Sequence, residues 1–249
     1  MIVAMKKLCL LFVTAILLIS CEIQEEIYLH NDGSGNINFV IDYGNQLSTM
    51  KGFVNSNSKN KINIGKKTDT IIYFKDFIDQ NKDSIGLLSL EDQKTINELK
   101  NFSMRMNIDP DQKIGKMAIS NEFKHISKLG HFEELMQKAS SINNKNKETK
   151  YPIKYNTGFD FKRKKFKRFV IEKKLSKEDE NKYQANIKNS KLFFSGINYK
   201  LVYHFDRKIK KVTNKDAVIS DDKKTLEISY PMDTLTLNPY LLEFEVTLK

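Results

Sequence analysis

Three pairs of strand-like segments, each joined by a short polar turn, constrain the fold of this 249-residue chain more than any other feature. In the first pair, residues 25–30 and 36–43 flank Asn31-Asp32-Gly33-Ser34-Gly35. An Asp-Gly turn is a strong hairpin signal, because glycine readily adopts the positive φ that such turns need. The other two pairs are residues 102–108 with 113–120 and residues 159–161 with 166–170. Hairpins place consecutive strands antiparallel, so the sequence predicts a largely antiparallel sheet.

Helical patterns lie between these hairpins. Residues 69–82 carry apolar residues at mixed three- and four-residue spacings, and residues 125–142 carry a clear helical stripe. Ser89 and Asp92 form a variant of the capping box, which predicts the start of a helix. Residues 176–189 predict a further, polar helix.

The last third of the chain is rich in strand-like runs. They cover residues 198–205, 217–220, 225–230 and 241–248. Strands and helices that interleave without βαβ regularity indicate the α+β class. We expect a single domain over residues 21–249, in which an antiparallel sheet of hairpins packs against a helical segment of about residues 69–142. Polar loops are expected near 55–67 and 143–157.

The first twenty residues predict a signal peptide. Lys6 and Lys7 precede an apolar run, residues 8–19, which is shorter than the roughly 20 residues that a membrane-spanning helix needs. A basic start, a short apolar stretch and a small residue before the cut, here Ser20, are typical of a secretory signal. Cys21 follows immediately.

Leu18-Ile19-Ser20-Cys21 resembles a bacterial lipobox, where the cysteine thiol is diacylated and the chain is cleaved in front of it. The alternative is an ordinary secretory signal followed by a chance cysteine. The resemblance implies a mature chain that begins at Cys21 and is held on a membrane by its acyl chains. Cys9 would leave with the signal, so the mature body would have no disulfide and no cysteine metal ligand.

The residues after the cysteine bear on the membrane. Glu22 stands where an aspartate would retain a lipoprotein in the inner membrane under the enterobacterial rule, which favours the cell outer membrane. Gln24-Glu25-Glu26 resembles acidic signals that send lipoproteins of the Bacteroidota to the outer face. The alternative is a solvated edge of the first strand, so the periplasmic or surface face stays open.

The positive charge does not predict nucleic acid binding. The net charge is +11, of which Lys6 and Lys7 contribute +2. Nearly all the cations are lysines, whereas arginine is the residue suited to bidentate contacts with phosphates and bases. With an export signal present, compositional drift explains the charge better than a nucleic acid partner.

Three stretches together carry a resemblance to known proteins. They are residues 27–35, residues 159–161 with 166–168, and the C-terminal run through 198–201, 217–220 and 238–242. This pattern resembles uncharacterised lipoproteins of the Bacteroidota and, more remotely, mycobacterial-type small lipoproteins that begin with an Asp-Gly hairpin. The resemblance implies an architecture and a cellular address. In the remote relatives a lipid- or glycolipid-binding role has been proposed, which applies here by analogy only.

The densest run of charge is the basic run, which holds six cations around Phe166. Its cations are Lys162, Arg163, Lys164, Lys165, Lys167 and Arg168. One hypothesis is contact with lipid headgroups or acidic polysaccharide. The alternative is a hairpin tip with solvated lysines and Phe166 turned into the core. Strand alternation places Phe166, Arg168 and Val170 on one face, so at least one of them fits poorly there.

No motif of known chemistry stands out. The histidines, His30, His125, His131 and His204, show no metal-ligand pairing, and the Asp32 turn lacks the further oxygens of a calcium loop. There is no nucleophile elbow, phosphate loop or dinucleotide fingerprint. We therefore expect neither metal nor cofactor, and no enzymatic activity.

The expected role is a lipid-anchored interaction or binding module at the outer membrane, with the membrane and an envelope protein or lipid as partners. A lipid or glycolipid carrier is the alternative, and it requires a cavity between sheet and helices. A hydrolase assembled from scattered residues is more distant. A cavity lined by Phe and Met would favour the carrier, and an exposed apolar patch would favour a protein partner.

Overall fold

The computed structural model describes residues 21–44, 67–130, 132–142 and 152–249. The strands in these ranges are β1 (Cys21–Leu29), β2 (Gly35–Asp42), β3 (Thr68–Tyr73), β4 (Phe102–Asp109), β5 (Ile114–Phe123), β6 (Tyr155–Lys162), β7 (Lys165–Glu172), β8 (Ile197–Phe205), β9 (Ile209–Val212), β10 (Val218–Ile219), β11 (Thr225–Pro231) and β12 (Phe244–Leu248). The α-helices are α1 (Phe74–Gln80), α2 (Lys82–Gly86), α3 (Leu90–Glu98), α4 (Phe132–Ser141), α5 (Lys177–Phe194) and α6 (Met232–Leu237). Short 3-10 helices cover Leu99–Asn101, Ile126–Leu129 and Pro239–Leu242.

Most of the strands form one sheet, called the large sheet here, in the order β10-β11-β8-β1-β2-β5-β4-β3. The first two predicted hairpins, β1–β2 and β4–β5, are confirmed as antiparallel pairs. At the first turn Gly33 has φ of 87°, which explains the glycine there. The strands β1 and β8 pair in parallel, in register from Cys21 with Ile197 to Leu29 with Phe205.

The second sheet, called the small sheet here, has the order β6-β7-β12-β9. The predicted third hairpin is confirmed as β6–β7, with Arg163 at φ of 56° in its two-residue tip. The sequence did not predict a separate sheet, because β12 joins β7 across a large sequence separation. The polar loop expected near 143–157 ends earlier than predicted, since β6 begins at Tyr155; the loop expected near 55–67 lies almost wholly outside the described residues.

Side-chain alternation gives the large sheet one apolar and one polar face. On β2, Ile37, Phe39 and Ile41 share a face, and their register partners on β5 include Met117 and Ile119. The next residues along each strand, such as Asn38 and Ser120, point to the other side. The apolar face is covered partly by the small sheet and partly by α4.

The predicted helix over residues 69–82 is partly wrong. Residues 68–73 form β3, which pairs with β4 at the edge of the large sheet, and the helix begins only at Phe74. The long-range pairing with β4 overrides the ambiguous local spacing. The helix start at Ser89 is confirmed: its hydroxyl accepts a hydrogen bond from the Asp92 amide at 3.1 Å.

The predicted helix over residues 125–142 begins as the 3-10 turn Ile126–Leu129, and α4 follows from Phe132. The polar helix is confirmed as α5, capped by Ser176 and longer than predicted. In the described ranges the molecule is a single α+β domain, as predicted, with two mostly antiparallel sheets. No helix in those ranges is both long enough and apolar enough to cross a bilayer.

Candidate functional site

A cavity of about 560 Å³ opens where the small sheet and α4 meet over the large sheet. Its lining is dominated by apolar side chains from β2, β5, α4 and α6. The aromatic and sulfur-containing members are Phe39, Met117, Phe132, Met136, Tyr155, Tyr199 and Met232. Its volume falls in the range of about 300–1,000 Å³ that is typical of small-molecule sites.

One wall of the cavity contains a buried ion pair. Arg168 on β7 and Glu25 on β1 are only 2% and 5% exposed, and the Arg168 Nη2–Glu25 Oε2 distance is 3.3 Å. The guanidinium also donates to the Leu242 carbonyl at 3.1 Å and to Thr157 Oγ1 at 3.3 Å. The pair therefore joins the large sheet to the small sheet.

Two tyrosines of β8 complete the coordination of the Glu25 carboxylate. Tyr203 donates its hydroxyl hydrogen to Oε1, and Tyr199 donates to Oε2 at 3.0 Å. Burial raises the pKa of Tyr203 well above its ordinary value, and the Glu25 carboxylate raises it further. Burial would lower the pKa of Arg168, but the charge interactions with Glu25, Tyr203 and Tyr199 and the hydrogen bond to Glu25 together outweigh it, so the pKa is raised and the cation is maintained.

These polar groups bind one another, and this limits the chemistry of the site. The carboxylate, the guanidinium and both hydroxyls are engaged in the same network. The described lining holds no serine, cysteine or histidine that could act as a nucleophile or its base. The arrangement suits binding of an apolar group.

A second cavity, of about 610 Å³, lies between α4 and the helices α1–α3. It is also lined mainly by apolar side chains, among them Phe77, Ile85, Leu99 and Ala139. Met136 lines both cavities, so α4 borders the two of them.

The predicted lipidation residue, Cys21, is the first residue of β1. Its thiol is buried and donates a hydrogen bond to the Asp42 carbonyl at 2.9 Å. Burial, and then the Asp42 carboxylate, raise the pKa of this thiol. A thioether has no hydrogen to donate, so acylation at Cys21 would remove this bond, while the pairing of Cys21 with Ile197 of β8 does not depend on it.

The structure divides the basic run into two parts. Lys162, Arg163, Lys164, Lys165 and Lys167 are exposed, and their contact with an anionic surface stays a prediction. For Arg168 the structure corrects the predicted surface contact. Because Arg168 is buried against Glu25, it cannot contact an external anionic surface. Phe166 turns into the core, as the alternative interpretation of this run predicted.

The tip of the basic run and Cys21 lie at opposite ends of the molecule. The nine residues of β1 run from Cys21 to Leu29, about 30 Å at roughly 3.3 Å per residue, and the turn that holds Gly33 follows. Phe161, two residues before the tip, lies beside Gly33: a Cβ there would be 3.4 Å from its ring. A membrane that held Cys21 would therefore lie far from the basic tip.

The histidines and the acidic cluster do not form a common site in the described ranges. His30, His125 and His204 lie in the described ranges, and no three His, Cys, Asp or Glu side chains in those ranges are grouped to hold a metal ion. His131 lies outside the described residues. Of the acidic cluster, Glu25 is interior, so the interpretation as a solvated strand edge does not hold for it.

No family model matches this chain, and no curated protein matches it. Among solved structures, the NMR structure of the folded domain of LppM from Mycobacterium tuberculosis aligns over 92% of this chain and 90% of that one. The sequence identity is 7% and the TM-score is 0.38, too low to carry an argument about fold or function.

Proposed function

We propose that this protein is an acylated cell-envelope lipoprotein, anchored in the outer membrane through Cys21, whose body binds the apolar chain of a lipid. The observation that carries the binding role is the cavity of about 560 Å³ lined by Phe39, Phe132 and three methionines. Methionine suits such a site because its flexible side chain adapts to ligands of different shape. The anchor rests on the lipobox resemblance alone.

The cavity test uses full-length protein, extracted from membranes and analysed by native mass spectrometry. We expect a co-purifying lipid mass. Ile119→Trp, which places an indole in the cavity, should abolish that mass. The matched control is Ser120→Trp, because the neighbouring residue on β5 points to the polar face. An apo mass for the wild type, or equal lipid in both variants, would contradict the binding role.

The anchor has its own test. Labelled palmitate should be incorporated into the wild-type chain and not into Cys21→Ala, which should also leave the membrane fraction. Labelling that persists in Cys21→Ala would show that the lipobox interpretation is wrong. This result does not depend on the cavity.

A protein-interaction role is the second candidate, and exposed apolar side chains around α2 favour it. Leu87 and Leu90 are 89% and 84% exposed, and Phe77 on α1 is also exposed. Exposed apolar groups of this kind often mark a contact surface when they are contiguous. Crosslinking at Leu87 in whole cells, with exposed Lys215 as control, should capture one partner if this role holds.

A further inference from the structure

The inner side of α4 passes from one cavity to the other. Phe132 lines the first cavity, Met136 lines both, and Ala139 lines the second. Residues spaced by three and four positions share one face of a helix, so these three form a single stripe. From Phe132 to Ala139 that stripe extends about 10 Å at roughly 1.5 Å per residue.

Aromatic contacts hold the start of α4 on the sheet. The Phe132 ring lies 6.0 Å from the Phe39 ring and 5.9 Å from the Phe102 ring, measured between centroids. Farther along α4, Met136 borders both cavities. Because the methionine side chain is unbranched and rotates easily, it is a poor permanent barrier.

We propose that the two cavities are the two ends of one channel beneath α4, which takes a single long acyl chain past Met136. This rests on the proposed lipid-binding function and specifies its ligand class: a long-chain lipid, whose chain extends beyond the first cavity into the second. The charge of the site favours an uncharged headgroup, because Arg168 and Glu25 already neutralise each other.

The test compares two uncharged probes of different chain length, monooctanoylglycerol and monopalmitoylglycerol, on delipidated full-length protein in detergent. Ala139→Trp fills only the second cavity. We expect it to weaken binding of the palmitoyl probe about tenfold or more, since that part of the chain loses its burial. Binding of the octanoyl probe should not change.

Two further variants guard against misfolding. Ile85→Trp closes the second cavity from α2 and should reproduce the result of Ala139→Trp. Ala185→Trp makes the same substitution at an exposed position of α5 and should change neither affinity. Far-ultraviolet circular dichroism checks that each variant is folded.

The outcomes separate this inference from the function on which it rests. If wild-type protein binds both probes but Ala139→Trp and Ile85→Trp bind the palmitoyl probe normally, the single channel is wrong and the first cavity acts alone. If the wild type binds neither probe, the lipid-binding function itself is wrong.

Discussion

The apolar face of the large sheet is covered in two different ways. Under the small sheet, the Phe166 ring lies 5.3 Å from the Tyr203 ring and 5.7 Å from the rings of Phe205 and Phe244, so the space is filled. Under α4, the Phe132 ring meets the rings of Phe39 and Phe102, and a cavity remains beside them. Both regions are apolar, but only the first is packed like a protein core.

The difference shows how the same sheet can be densely packed in one region and border a cavity, the proposed binding site, in the other. A strand of the small sheet presents side chains at every second position to the sheet below, which allows dense interdigitation. The single short helix α4 covers a narrower part of the large sheet, and the elements next to α4 leave space beside it. The ion pair of Glu25 and Arg168 marks the boundary between the two regions.

The largest effect should come from the filled region. Phe166→Ala removes a fully buried ring and should lower the free energy of unfolding by about 3–5 kcal/mol, the usual range for such truncations. Chemical denaturation monitored by circular dichroism measures the change. Phe132→Ala, on the cavity side, is the comparison and should cost clearly less, because its ring is only half-buried. Equal losses would remove the distinction between the regions.

The boundary should be sensitive to the loss of one hydrogen bond. Tyr203→Phe keeps the ring but removes the hydroxyl that donates to the buried Glu25 carboxylate. We expect a loss of about 2 kcal/mol in the free energy of unfolding, as for other hydrogen bonds to charged groups. Tyr230→Phe, whose hydroxyl bonds the exposed Asp216, is the matched control and should change little. If Tyr203→Phe left the free energy of unfolding unchanged, this would indicate that water replaces the hydroxyl.

The cavity region should tolerate a change of side-chain shape. Met117→Leu keeps an apolar residue of similar volume in the cavity wall, so the loss of stability should stay below about 1.5 kcal/mol. Lipid affinity should fall more clearly than stability, because the branched leucine side chain adapts less well than methionine to the shape of a ligand. Thermal unfolding and probe titration separate the two effects. A stability loss as large as that of Phe166→Ala would mean that this wall is core.

The exposed part of the basic run should affect stability least. Replacing Lys164, Lys165 and Lys167 together by glutamine should leave the thermal unfolding midpoint unchanged, because these side chains face solvent. Vesicle binding by the acylated protein should also be unchanged, since this tip lies far from Cys21. Reduced binding to anionic vesicles would show that the tip does reach a membrane.

How much the sequence could predict depends on whether a signal is local. The hairpins, the Ser89 and Ser176 caps and the α+β class follow from short-range turn and capping chemistry. The small sheet does not follow from such local signals, because β7 pairs with β12, which lies much later in the chain. The spacing of Ile71, Ile72 and Phe74 fits both a helix and a strand, and only the long-range pairing of β3 with β4 favours the strand.

The candidate site was predictable only in part. From the sequence, a lipid carrier is expected to have a cavity between the sheet and the helices. The sequence does not predict which residues line that cavity. The poor fit of Arg168 on an apolar strand face was visible, and Glu25 between Ile23 and Ile27 carries the same signal with the opposite charge. Two opposite charges on two apolar faces indicate a buried pair, and this combination was missed.

The position of β1 in the middle of the large sheet determines when the protein can fold. Glu25 and its hydrogen-bond partner Tyr203 are separated by 178 residues, and β1 has its parallel partner only after β8 has been synthesised. Until then β1 is paired only with β2, and its other edge lacks the partner that β8 provides. Contacts of such long range form slowly. A chain that cannot close its core early stays extended until the last strands arrive. The proposed export and acylation would use this delay, because the chain could be threaded through a translocation pore while Cys21 is still accessible to a modifying enzyme.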